Sequence, residues 1–333
     1  MNSQHFDLIR VTIFRVFRHV SVLLYFWILF APLLQAAEPA FIRESIRARG
    51  MGNAFTAAAN DEMLLFYNPA ALRSVYYNIY QIAGFNTTYN ENITKLGNSS
   101  GGFSTLGSSA GKNIHNEIDI GFLSHVNSRF GWSFFTNSFV DIQIRNPIIP
   151  YLETKAYLQN GLAGGMAWSF LDFQLDLGLG VKLVQRSGID TKLHIFDEGI
   201  IEFTEDQKTT KLQKKFASKA AFAPDAGVIY HFDSYHNMEP KVAFSLQNIG
   251  GLDFKGAGKV PMTMNIGVST ESEFNGIDMI LAADYRDLAD SQEMISKGNI
   301  MSERNIKIGV EFGWQKLFNG HHLISIRAGR NGI

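Results

Sequence analysis

Phe173-Gln-Leu-Asp-Leu-Gly-Leu-Gly-Val-Lys-Leu183 is the stretch that decides the fold class. Phe173, Leu175, Leu177, Leu179, Val181 and Leu183 alternate without interruption with Gln174, Asp176, Gly178, Gly180 and Lys182. A period of two belongs to a strand, and here it makes one face wholly apolar and the other polar or bare. Such a strand fits a barrel wall with lipid outside and a polar lumen inside. It fits equally a half-buried sheet in a soluble sandwich.

The same dyad returns in Ile306, Ile308, Val310, Phe312 and Trp314 against Lys307, Gly309, Glu311 and Gly313, and again in Val242, Phe244 and Leu246 against Ala243, Ser245 and Gln247. Aromatic residues gather near strand ends at Tyr76, Tyr77, Trp132, Trp168, Tyr230 and Trp314, where a membrane barrel places an interfacial girdle. Strands are expected near 75–85, 117–126, 129–140, 156–169, 173–186, 221–232, 241–248, 262–270, 277–286, 305–314 and 322–330. The connections between them alternate in length. The long ones run from Asn86 to Asn116, Asp141 to Lys155, Ser187 to Ala220, Ile249 to Pro261 and Asp287 to Arg304; the shortest are Asn127-Ser128 and Leu171-Asp172. A soluble sandwich has no reason to keep that parity, whereas an outer-membrane barrel has long loops at one end and short turns at the other. The fold class expected is therefore all-β, an antiparallel transmembrane β-barrel.

Composition agrees with that class and excludes others. The 333 residues include 30 glycines, 27 phenylalanines, 11 tyrosines and no cysteine, with a formal charge of −1. There is no electrostatic bias toward nucleic acid, and no disulfide framework. The chain opens with Arg10, Arg15 and Arg18, an apolar run from Val20 to Leu34, and the small residues Ala36 and Ala37. That is the pattern of a signal peptide cleaved after the first 37 residues; a retained inner-membrane anchor is the competing reading, though a run of about fifteen residues is short for a span.

Between the signal and the first strand lies Arg47-Ala-Arg-Gly-Met-Gly-Asn-Ala-Phe-Thr-Ala-Ala-Ala-Asn-Asp-Glu-Met-Leu-Leu-Phe-Tyr-Asn-Pro-Ala-Ala-Leu72, which is small, apolar and not alternating. It reads as a compact non-strand element. Asn68 can cap a turn, Pro69 suits the first helical position, and Ala70-Ala71-Leu72 continues it. Arg49-Gly-Met-Gly52, the Ala54-Phe-Thr-Ala57 block, the acidic pair Asp61-Glu62 and Phe66-Tyr-Asn-Pro-Ala70 together resemble the amino-terminal signature of the FadL-type outer-membrane transporter superfamily. Pro224-Asp-Ala-Gly-Val-Ile-Tyr230, Ser245-Leu-Gln-Asn-Ile-Gly-Gly251, Val260 to Val268, Asp284-Tyr-Arg-Asp-Leu288 and Ile326-Arg-Ala-Gly329 resemble later strands of its PorV-like and UPF0164-like branch.

The resemblance implies a three-part division: signal peptide 1–37, a lumenal hatch or plug over 38–74, and a barrel over 75–333. It assigns the hatch motif to Arg49, Gly50, Met51, Gly52, Asp61, Asn68, Pro69 and Ala70, with Asn53 and Ala71 standing where the family pattern has glycine. Asp176, Lys182, Asp284, Arg286, Lys307, Glu311 and Arg327 are the ionisable groups expected to face the lumen, paired with Arg43, Arg47, Arg49, Asp61 and Glu62 or forming a polar track for a solute.

Nothing indicates an enzyme. His115, His125, His194, His231, His236, His321 and His322 show no metal-ligand spacing, there is no Gly-x-Ser-x-Gly elbow, and Gly50-Met-Gly52 follows no strand as a dinucleotide site requires. No metal and no cofactor are expected. Two functions remain for an outer-membrane protein of this type: a conduit for hydrophobic or amphipathic small molecules, or a PorV-like docking component for secreted or surface proteins. Bilayer lipid is the partner common to both. Finally, an odd eleventh strand over 322–330, and a terminus without an aromatic final residue, lead to the expectation that the wall is open beside the first strand and that about three further strands complete it.

Overall fold

A computed structural model of the chain describes residues 42–89, 113–145, 151–194, 216–235, 237–274, 276–288, 305–317 and 322–331. The signal-peptide reading, the Gly97–Gly111 loop and the lysine-rich run from Asp206 to Lys215 lie outside the described residues. Thirteen strands follow one another: β1 Ile79–Tyr89, β2 Asn113–Val126, β3 Phe130–Arg145, β4 Tyr151–Phe170, β5 Leu175–His194, β6 Ala217–His231, β7 Met238–Gln247, β8 Leu252–Asp253, β9 Lys259–Val260, β10 Thr263–Phe274, β11 Ile277–Tyr285, β12 Ile306–Leu317 and β13 His322–Asn331. All but the small β8–β9 pair join one antiparallel sheet of eleven strands, each bonded to its neighbour in chain order. The eleven strands expected from alternation are all present.

Their ends differ from expectation where local chemistry intervenes. β1 begins at Ile79 rather than near residue 75, because Pro69–Ser74 forms a 3₁₀ turn that Val75 terminates. Phe173 is not in β5 but in the turn after β4, where Leu171, Asp172 and Phe173 all take left-handed angles (φ 51°, 51° and 70°). β4 and β5 reach 20 residues each. That exceeds the roughly 9–11 a tilted spanning strand needs, so these two strands extend past the membrane at the long-loop end and shorten the loops expected there.

The connection from Ile249 to Pro261 departs most from its reading as an open loop. β7 pairs with β6 only from Ala226↔Leu246 to His231↔Lys241. The chain then leaves the wall at Asn248 (φ 55°), Gly250 (φ 84°) and Gly251 (φ 73°) and folds inward. Leu252, Phe254, Ala257 and Val260 of the β8–β9 hairpin are buried. At the departure point Pro224 accepts a hydrogen bond from Ile249 N–H (2.8 Å). Backbone N–H and C=O of one strand residue point to the same side, so proline withholds its missing donor where the ladder stops. Among the described residues, β6 from Ala217 to Asp225 pairs only with β5, leaving a breach in the wall.

The sheet rolls around the amino-terminal segment. Its outer face carries exposed apolar side chains, among them Tyr80, Phe85, Phe134, Leu162, Met166, Trp168, Leu179, Leu183, Val268, Leu281, Ile308 and Ile326. Its inner face carries buried polar ones such as Asp119, Asn137, Lys182, Arg186, Asp225, Asp284 and Glu311. That inversion of the soluble pattern is what a lipid solvent demands. Among the described residues β1 and β13 each have one strand neighbour and are not bonded to each other, so the barrel is open along that seam.

Candidate functional site: the amino-terminal segment and its two chambers

The segment from Ile42 to Ser74 is held by every strand of the large sheet. Ser45 caps a short helix, α1 (Ile46–Gly50), by accepting from the N–H groups of Arg47 and Ala48. Gly52 (φ 61°) and Asn53 (φ 64°) then turn the chain through left-handed angles. Asparagine is among the few residues with a side chain that adopt them readily, so it serves where the resembled family has glycine. Asn68, wholly buried, caps the 3₁₀ turn Pro69–Ser74: its Oδ1 accepts from Ala70 N–H (3.0 Å) and its Nδ2 donates to Thr56 C=O (3.2 Å).

Wall glycines let this backbone in. A Cβ on Gly178 would lie 2.1 Å from Ala70 N, one on Gly227 1.8 Å from Asn68 Oδ1, one on Gly309 2.3 Å from Met51 C=O and one on Gly329 2.1 Å from Gly52 N. The deciding strand is therefore bare at Gly178 because another piece of main chain sits there.

Charged contacts fix the segment from several sides. Arg43 donates to both carboxylate oxygens of Asp119 (2.9 and 2.8 Å) and to Ser133 (3.3 Å). Breaking so deeply buried a pair costs roughly 3–5 kcal/mol, since the remaining charge has no solvent. Arg47 donates to Glu311 (2.7 Å), which also accepts from Arg327 (2.9 Å). Arg49 joins Glu44 (2.7 Å), Glu117 (2.6 Å) and Thr88 (2.5 Å). Asp284 accepts from the N–H groups of Phe55 and Thr56 (2.8 and 2.7 Å). Ser245 and Gln247 donate to Tyr67 C=O (2.7 and 3.1 Å).

All seven ionisable residues expected in the lumen lie on the inner side, though not always with the expected partners. Glu311 and Asp284 meet the segment, the latter through main-chain N–H rather than a charged side chain. Arg327 reaches it through Glu311, and Arg286 lies with its guanidinium 5.2 Å from the Tyr67 ring. Lys182 instead bonds Asp225 (3.0 Å), Gln247 and Asn248 within the wall. Asp176 pairs with His231 (2.8 Å) and Ser169 (2.5 Å) at the short-turn end. Lys307 is half-buried beside this network. Sequence reasoning missed Asp119, Glu117, Asp225 and Gln247; their inward parity on alternating strands was the available signal.

The segment divides the lumen. Toward the long-loop end lies a cavity of about 530 Å³ lined by Ile42, Glu44, Arg49, Asn53, Phe139 and Tyr157, among others. Toward the short-turn end lies a larger one of about 1350 Å³, lined by carboxylates that include Asp61, Glu62, Glu239, Glu273 and Asp278, and by Tyr76 and Tyr77. Burial, and then the charge of Glu62, push the Asp61 carboxyl up to about 6. Burial likewise pushes the Tyr67 hydroxyl up; it accepts from Ser45 N–H (2.9 Å). Among the described residues there is no cluster of metal-ligating side chains.

An eleven-stranded antiparallel sheet that is apolar outside, charged inside and rolled about its own amino-terminal segment is the wall of an outer-membrane-type β-barrel. The chain matches no family model and no curated protein. Among solved structures it is similar to the crystal structure of a Pseudomonas aeruginosa FadL homologue, with 13% identity over 87% of this chain and 90% of that one, at a TM-score of 0.40.

Proposed function

We propose that this chain is an outer-membrane conduit for hydrophobic or amphipathic small molecules, with residues 42–74 acting as its hatch. The observation that carries this reading is the pair of chambers separated by a segment whose every anchor is a side-chain contact to the wall or a glycine-lined seat. A segment held that way can rearrange without unfolding the barrel. The short-turn end faces the periplasm and the long-loop end the exterior. A solute enters the smaller chamber from outside and meets the hatch. It continues into the larger chamber when the hatch shifts, or leaves through the breach beside β6.

The reading is tested by Asn68→Ala combined with Pro69→Ala. Losing the cap costs about 1 kcal/mol, and orphaning Thr56 C=O adds a penalty of similar size. The hatch loosens, and uptake of a hydrophobic dye into proteoliposomes rises severalfold over the parent protein. Equal uptake at matched incorporation counts against the hatch. The docking role suggested by the PorV-like resemblance is the other outcome, recognised by absent flux in both proteins together with a stoichiometric copurifying protein.

A further inference from the structure

We infer that the lipid-facing side of the wall over β7 and β10 to β13 holds a site for a phosphorylated lipid of the outer leaflet, with an acyl chain lying in a groove and a phosphate on Arg330. The groove follows from strand register. Residues paired across neighbouring strands share a face, so Val242, Val268, Ala283, Ile308 and Arg330 form one continuous outward row. A second outward row, one step nearer the short-turn end, runs from Pro240 to Ala328. The two rows line an open, apolar groove of about 860 Å³, with Phe232 at its β7 end. Five strands spaced about 4.8 Å apart make it about 19 Å long, against about 15 Å for the hydrocarbon of one leaflet, half of a core about 30 Å thick. In a bilayer an acyl chain is the occupant of that shape and polarity.

The rows climb the wall, as strand tilt in a barrel requires. Val242 stands near the short-turn end of β7, which begins at Met238, whereas Arg330 is next to Asn331 at the long-loop end of β13. Arg330 is exposed and pairs in register with the exposed Ile308, which puts both on the lipid side. The outward row above it, Phe244, Ile266, Tyr285 and Ile306, is uncharged, so the arginine stands within the edge of the apolar band rather than beyond it. A charge on the lipid face is tolerated only near the interface, where its stem lies along apolar surface and its head reaches the headgroups. Lys241 also borders the groove but lies on the inner face with Glu271 (2.5 Å). Among the described lining residues the outward positive charge therefore lies at the Arg330 end.

A guanidinium fork matches a phosphate in two-pronged fashion, and basic groups at a membrane surface recognise anionic headgroups. With the long loops outside, the charge lies at headgroup height in the outer leaflet and the groove descends from it toward the bilayer middle. That is the posture of an outer-leaflet lipid, and that leaflet of an outer membrane is built of phosphorylated glycolipid. The site rests on the outward orientation of the long loops and is independent of transport.

Native mass spectrometry of the purified barrel in a nonionic detergent, titrated with bis-phosphorylated lipid A, its dephosphorylated form and phosphatidylglycerol, reads occupancy directly. Lipid A is expected to bind about tenfold more tightly than the dephosphorylated form. Arg330→Gln should remove most of that difference, and Ala283→Phe, which fills the groove, should weaken both glycolipids. Heat-modifiable electrophoretic mobility identifies folded protein; Arg330→Met and Ala328→Phe stand in for either variant that fails to fold. Phosphatidylglycerol bound as tightly as lipid A would overturn the outer-leaflet assignment, and folded variants with parental affinities would overturn the site itself. Either result leaves dye uptake, and with it the conduit reading, to its own test.

Discussion

At Gly178 the choice of residue is set by a backbone some hundred positions away in the chain. The nearest atoms to a Cβ there are Ala70 N at 2.1 Å and Pro69 C at 2.3 Å, both main chain and unable to step aside cheaply. Gly164, between the exposed Leu162 and Met166 on one face of β4, would meet only Gly131 C=O at 3.7 Å. Gly178→Ala is therefore expected to destabilise the folded barrel by about 1–3 kcal/mol through overpacking, and Gly164→Ala to be nearly neutral. Thermal unfolding followed by the shift in electrophoretic mobility checks this; equal midpoints for the two variants would show that the segment does not seat against β5.

The hatch segment, as an element, is an assembly of short turns with no hydrogen-bonded ladder to the wall. Its retention depends on side chains, Arg43 to Asp119, Arg47 to Glu311 and Arg49 to Glu117, while Asp61 holds the segment's own turns by accepting from Ser45 Oγ and the N–H of Met63. Asp61 makes the packing of the segment pH-dependent. Its carboxyl is raised from 3.8 to about 6 by burial and by Glu62, so docking favours the protonated form. The stabilisation is fully present below the unfolded value, near pH 4, and is lost as pH rises through about 6. Limited proteolysis of the segment is expected to be slower at pH 5 than at pH 7, with Asp61→Asn abolishing most of the difference. A difference undiminished in that variant would assign the effect to another group.

For the whole molecule, the decisive property is which face meets lipid. Trp168, 44% exposed, and Trp132 stand on the outer face, next to Phe134, Met166 and Phe170. A variant retaining only Trp168, reconstituted in vesicles of brominated phosphatidylcholine, is expected to lose a large part of its fluorescence relative to unbrominated vesicles. Undiminished emission would mean that the apolar face is buried against protein, as in a sandwich. The open seam between β1 and β13 matters at the same scale, because unpaired N–H and C=O groups cost several kcal/mol each in hydrocarbon. These edges need a strand, a turn or protein beside them in the membrane.

Alternation along single strands was enough to place eleven strands, their order and the inward parity of Asp176, Lys182, Asp284, Lys307, Glu311 and Arg327, because strand geometry has period two and needs no distant information. Alternating connection lengths were enough to tell the long-loop end of the sheet from its short-turn end. Cap and turn chemistry located the Asn68-Pro69 turn for the same local reason. What the tertiary structure decided is every relation between strands distant in sequence: Asp119 as the partner of Arg43, the wall glycines as seats for the segment, and the inward path from Asn248 to Met262. A charged residue's parity says which face it occupies but not what lies opposite, since that depends on how far the sheet curls and where the ladder between β6 and β7 stops. The two chambers follow from the same cause: their volumes are set by how a segment without its own periodic pattern fits inside a wall that has one.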